Sequence, residues 1–328
     1  MAAVSYHDTV KVLQGVPFAD RGPFARAEWF ALLESRGAHP FVALAREGVE
    51  ALALPLVRGA DGLEGLSNWY AFSWSDLATA GAGRAALLEG LARDLPARAS
   101  RLTLAKLPDE DGTASRLERA FRGAGWVVLR EACDSNHVLP VAGRSYAEYL
   151  AARPGALRTT LKRKAKKVAV EVLTWFAGEA WAAYERVYAA SWKPEEGDPA
   201  LLRRFAEAEG AAGRLRLGLA RHEGAVVAAQ FWTVESATAW IHKLAHLDNA
   251  KPLSAGTTLS AALFEHVIDV DRVEWVDFGT GDDPYKRDWM EQVRPRWRLT
   301  CLRRADPRNW ATLAKAFARK LVSRPHAG

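Results

Sequence analysis

The densest set of reactive side chains runs from Val276 to Trp289, where an apolar stretch enters the turn Gly279-Thr280-Gly281. Carboxylates at Asp277, Asp282 and Asp283, the Tyr285 phenol and the Lys286 ammonium crowd that turn, and its glycines let a ligand approach the backbone. Tyr285 has the chemistry to protonate a departing thiolate. The same residues also read as a capped helix start, with Asp282 or Asp283 as N-cap before Pro284. Upstream, Ser254, Ala255, Gly256, Thr257 and Thr258 are small residues between a strand-like and a helix-like segment. Such a helix start presents backbone N–H groups and a favourable dipole to a phosphate or pyrophosphate. The plainer alternative is that Ser254 only caps the helix.

Strict alternation through residues 240–246 puts His242 and His246 on one strand face. Four strand residues span roughly 13 Å, too far for both to hold one ion, so each stands as a general base near neutral pH or as packing. Aromatic residues at loop-like positions, Trp69 and Tyr70 in the first half and Trp192 followed by Lys193 in the second, suit the wall of a substrate pocket. Between positions 158 and 167 six of ten residues are cationic and none is acidic. Lys162, Arg163, Lys166 and Lys167 there can meet phosphate, an acidic carrier protein or an anionic membrane surface, or form an ordinary solvated face. The segment has no interleaved aromatics, which argues against sequence-specific nucleic-acid binding.

Several chemistries lose ground. There is no P-loop, no dinucleotide glycine fingerprint, no His-Glu-x-x-His and no close cysteine pair, so triphosphate, nicotinamide and metal-dependent readings fall away. Cys133 and Cys301 make no disulfide framework, and the N-terminus lacks the basic head and apolar middle of a secretory signal. A cytoplasmic location is expected, with the inner face of the membrane as a peripheral site. No apolar run approaches the ~18 residues of a membrane-spanning helix.

The elements that must position these groups alternate between strand and helix. A chain of 328 residues suits two domains at ~100–200 residues each. Residues 41–45 and 49–57 read as a hairpin about Glu47-Gly48, with helices at 84–95 and 114–123 and extended runs at 102–107 and 126–130. Leu157, Leu161, Ala165 and Val168 set an apolar stripe under a basic helix. Beyond it come a helix at 179–192, strands at 215–220, 225–234 and 238–247, and a helix at 255–268. A strand at 273–278, a short helix at 284–291, a strand at 297–302 and a helix at 309–322 complete the pattern. Two half-chains with a similar element order suggest a duplicated fold.

The second-half strand order, the Ser-Ala-Gly-Thr-Thr-Leu helix start and the block Asp277-Phe278-Gly279-x-Gly281-Asp282-Asp283-x-Tyr285-Lys286-x-x-Trp289 resemble the GNAT superfamily. More closely, they resemble the CelD-type acetyltransferase-like proteins, relatives of the FemAB-like double-GNAT proteins. The likeness is strongest from about 180 to 302 and takes in Ser191-Trp192-Lys193-Pro194-Glu195. It implies an α/β (α+β) chain with a tandem GNAT-like (FemAB-like) fold, two mixed central sheets flanked by helices. The implied domains are a degenerate GNAT-like domain at 1–145, a basic helical connector at 146–178 and a GNAT acyltransferase domain at 179–328.

The implied reaction is acyl transfer from a thioester, acyl-CoA or acyl carrier protein, to an amine, with no permanently bound cofactor. Residues 254–258 take the pyrophosphate, Tyr285 protonates the thiolate, and His242, His246 or Asp277 removes the amine proton. CelD-type relatives imply a cell-envelope acceptor, an amino sugar or a long-chain (sphingoid) base. The FemAB branch implies aminoacyl transfer from tRNA as a second reaction, and a catalytically inactive scaffold binding polysaccharide or a partner is a third reading.

Overall fold

The computed structural model describes residues 2–322. Among the described residues two compact units emerge, one formed by residues 2–134 with 295–322 and the other by 135–294. Residues 146–178, expected as a connector, lie inside the second unit, and the last strand, from Pro295 on, and the last helix lie in the first. Residue 1 and residues 323–328 of the expected bounds lie outside the described residues.

The first unit contains β1 (Ala3–His7), α1 (Ala27–Ser35), β2 (Pro40–Glu47), β3 (Glu50–Arg58), β4 (Leu63–Gly65), β5 (Leu77–Ala78), α2 (Arg84–Asp94), β6 (Arg101–Leu107) and α3 (Thr113–Gly123). β7 (Val127–Pro140) runs from it into the second unit. There follow α4 (Tyr146–Ala151), α5 (Gly155–Lys164), β8 (Ala169–Leu173), α6 (Gly178–Ala189), α7 (Pro199–Ala211), β9 (Leu215–His222), β10 (Ala225–Glu235), β11 (Thr238–His246), α8 (Ala255–Glu265), β12 (Trp275–Thr280) and α9 (Lys286–Trp289). β13 (Gln292–Leu302) and α10 (Trp310–Val322) close the chain.

The strand order is β1-β2-β3-β4-β6-β13-β7-β12-β11-β10-β9-β8, with β5 paired to β3. This is one mixed sheet of thirteen strands, where two sheets were expected. The expectation failed at β7, read from its apolar start as ending at residue 130. It continues through a polar run to Pro140 and pairs there with β12.

In the second unit, α8 lies directly on the sheet because Gly218 of β9 leaves it room. A Cβ there would stand 2.9 Å from Leu259 and from Leu263. Around α8, Phe264 stacks on Trp289 at 4.9 Å and on Tyr149 at 5.3 Å, and Trp232 meets its edge at 5.1 Å. The opposite face of this part of the sheet carries α6 and α7, whose Trp181 and Phe205 pack on Phe231 of β10. The basic helix α5 ends at Lys164, so Leu157, Leu161 and Val168 are buried as the stripe requires, whereas Ala165 is exposed.

Candidate functional site

The second unit's sheet opens between β11 and β12. These parallel strands pair only at Thr238↔Trp275, Ala239↔Val276 and Trp240↔Asp277. Beyond that point β11 stays with β10 while β12 stays with β7, so the strands part along residues 241–246. Just past the divergence, Phe231 of β10 pairs with Lys243 and Trp232 with Ile241, which leaves His242 as an extra residue in a bulge.

The bulge overturns the expected placement of the two histidines, because one inserted residue shifts the alternation to the other face. His242 stacks on Phe231 at 4.7 Å, meets Phe205 of α7 edge-on and places Nε2 2.8 Å from the Thr233 hydroxyl. Lys243 turns to the same side and reaches Tyr188 of α6, whereas His246 lies beside α8. A Cβ on Gly256 would stand 3.2 Å from the His246 ring. Trp192 covers that ring at 4.1 Å, and His246 Nδ1 is 3.0 Å from the Leu247 carbonyl.

The start of α8 departs from the plain cap. Ser254 is left-handed (φ 54°), and its side chain makes no capping hydrogen bond. Its hydroxyl instead accepts from Lys164 Nζ at 3.2 Å, which carries the end of the basic helix to the start of α8. Ser254, Gly256 and Thr257 are half-buried, and Ala255 and Thr258 are buried in the core. Gln230 Nε2 donates to the Gly256 carbonyl at 3.0 Å and to Ser260 Oγ at 2.7 Å, fixing the first turn to β10. Lys162, Arg163, Lys166 and Lys167 are all exposed.

The turn after β12 is largely self-satisfied. Asp277 is buried and accepts from Asn136 Nδ2 at 3.0 Å and from the Gly279 N–H at 2.7 Å. Lys286, also buried, donates through Nζ to the carbonyls of Thr280 at 2.5 Å and Gly281 at 3.2 Å. Asp282 bonds Arg287 at 2.6 Å and lies 2.9 Å from Nε2 of the buried His137, and Arg287 foremost holds its carboxyl below the usual range. Neither Asp282 nor Asp283 caps α9, whose N-cap is Tyr285 without a side-chain bond.

Tyr285 is 39% exposed and packs edge-on against Phe278 at 5.6 Å. Burial, and then the charge of Asp283, push its phenol well above the ordinary value, so it keeps its proton at neutral pH. Burial lowers the Lys193 ammonium, against an opposing pull from Asp283, and Lys193 Nζ lies 5.4 Å from the centre of the exposed Trp192 ring. Lys243 ion-pairs Glu196 at 3.4 Å; burial brings its pKa to about 8, with Glu196 pulling up and Lys193 pushing down.

The structure thus brings together the start of α8, His246, Trp192, Lys193, Asp283 and Tyr285. Sequence reasoning missed Lys164, His137, Glu196 and Lys243. Trp69 and Tyr70 belong to the first unit, with rings 4.6 Å apart, Trp69 exposed and Tyr70 buried.

Residues 140–287 match the family model described as the acetyltransferase (GNAT) domain. This segment is a GNAT acetyltransferase domain. The parting of β11 and β12 and the start of α8 both fall within the GNAT segment. Among solved structures the chain is similar to FemX, at 9% identity and TM-score 0.63, over 90% of this chain and 96% of that one. It is also similar to the C-terminal DUF2156 domain of a putative lysylphosphatidylglycerol synthetase from Agrobacterium fabrum, at 12% identity and TM-score 0.57, over 87% and 90% of the two chains. A third similar structure is L-PGS from Bacillus licheniformis, at 11% identity and TM-score 0.53, over 83% and 86%. Likeness at these identities concerns the fold alone. No curated protein matches the chain. Among the described residues no helix is long and apolar enough to cross a membrane, and no group of three or more acidic, His or Cys side chains is placed to hold a metal.

Proposed function

We propose that the protein is an N-acyltransferase that moves an acyl group from a thioester, acyl-CoA or acyl carrier protein, to an amine. The observation that carries this reading is the end of β11–β12 pairing at Trp240↔Asp277, immediately before a bulged strand and beside the start of α8. The gap gives a thioester arm a place between two strand edges, and backbone N–H groups of β11 would polarise its carbonyl. Its phosphates meet the α8 start, where the Ser254 side chain makes no cap bond and Lys164 adds a cation. The exposed cations of the same basic segment suit a carrier protein's acidic surface.

Of the three expected proton acceptors, His246 fits best. Asp277 already receives two protein donors, and His242 is held among Phe231, Phe205 and Thr233. With Nδ1–H donated to the Leu247 carbonyl, His246 Nε2 carries a lone pair at the open end of β11. The amine nitrogen attacks the thioester carbonyl and gives its proton to Nε2. As the C–N bond forms the C–S bond breaks, and the thiolate takes the Tyr285 phenolic proton.

The test is to incubate the protein with acetyl and long-chain acyl thioesters, on CoA and on carrier protein, together with amino sugars and long-chain bases. Mass spectrometry should find an acylated amine and a free thiol in equal amounts. Thioester that is never consumed, whatever the amine, would remove the proposal.

A further inference from the structure

Between α6 and α7 lies a cavity of about 510 Å³, large enough for a small-molecule ligand. Tyr184 and Tyr188 of α6 and Leu202 of α7 form much of its wall, and Glu195 and Glu196 enter from the connecting loop. Glu196 accepts from Lys243 Nζ, which is 3.5 Å from the Tyr188 hydroxyl. Lys243 follows the bulge of β11, so one edge of the cavity adjoins the strand that parts from β12. Lys193, Glu195 and Glu196 are therefore gathered at the loop end next to Lys243, and the helices contribute the rings and aliphatic carbons of Trp181, Tyr184, Tyr188 and Leu202 together with the Glu185 carboxylate.

We propose that this cavity seats the acceptor, a primary amine joined to an apolar chain or ring, with the nitrogen toward Glu196 and Lys243 and the apolar body between α6 and α7. The proposal rests on the acyl-transfer reading for the word acceptor, but the binding itself does not. An apolar body gains from every methylene buried against Tyr184, Tyr188 and Leu202. An amino sugar would set part of its hydroxyls against the rings and aliphatic carbons of Trp181, Pro199 and Leu202, which replace none of the water lost there. Glu196 is paired with the Lys243 ammonium, and Lys193, Glu195 and Glu185 also line the cavity.

The experiment is calorimetric titration of the intact protein, without thioester, using n-alkylamines from butylamine to octylamine and using glucosamine. Each added methylene should tighten binding roughly three- to fourfold until the cavity is full, with glucosamine at least a hundredfold weaker than octylamine. Leu202→Trp, which fills the cavity, should erase the chain-length dependence. Ala189→Trp at the exposed rim should weaken octylamine at least tenfold, and it serves if the buried change unfolds the protein. Glucosamine binding as tightly as octylamine, or chain-length dependence that survives in a folded filling variant, would overturn the assignment. Because no thioester is present, a failure here leaves acyl transfer standing, and a failure of acyl transfer leaves this binding intact.

Discussion

The turn after β12 and the end of β11 both hold ionisable side chains and use them differently. After β12, Asp277, Lys286 and Asp282 spend their hydrogen bonds on Asn136, Gly279, Thr280, Gly281, His137 and Arg287. At the end of β11, His246, Trp192 and Lys193 meet ring faces and one another, and the strand edge beside them has left β12. A motif rich in charged residues can therefore be mostly scaffold, with the chemistry falling to side chains that the scaffold leaves facing open space. Tyr285 is the member of the turn that stands on the other side of this division.

That division is tested hardest at Tyr285. Tyr285→Phe removes only the phenolic oxygen from a partly exposed ring, so it should lower kcat by about 10²–10⁴ while leaving the melting temperature nearly unchanged. Unchanged turnover with a folded protein would move Tyr285 into the scaffold. The converse change is Asp277→Ala, which orphans the Asn136 amide and the Gly279 N–H in a buried place. It should cost roughly 2–6 kcal/mol in urea unfolding, from two donors at ~1–3 kcal/mol each. Full stability with abolished turnover would instead make Asp277 the proton acceptor.

The parts legible in the sequence are those set by local periodicity. The hairpin of β2 and β3, the helices α6 and α8 and the strands β9 to β12 follow from alternation and helical spacing within a few residues of their bounds. α7 was overlooked although Asp198, which caps it by accepting from Leu201 N at 3.0 Å, and Pro199 at its first turn announce it. The bulge at His242 left no local trace, since it exists only in the register against β10. Polarity at residues 131–136 hid the length of β7, whose Asn136 and His137 serve Asp277 and Asp282 more than a hundred positions away. Lys164 looks like its cationic neighbours in sequence, and only the packing of α5 turns it toward Ser254. The pair Lys243–Glu196 joins a strand to a loop through tertiary contact alone.

The smallest expected effect sharpens the scaffold side of the comparison. Glu291, two residues beyond α9, is gripped by Arg144 at 2.8 and 3.0 Å and by Arg153. Arg144 foremost draws its carboxyl below the usual glutamate value of 4.5. A carboxylate whose pKa is lower folded than unfolded stabilises the fold fully above the unfolded value and loses that contribution as pH falls through the folded one. Glu291→Gln should therefore cost about 1 kcal/mol or less at pH 7, the scale of a largely surface ion pair. The difference from the unmodified protein should shrink below pH 4.5 and vanish at lower pH, read as melting temperatures across pH 3 to 7. A gap between the two proteins that stays constant down to pH 3 would mean that Glu291 holds α9 by shape and not by charge.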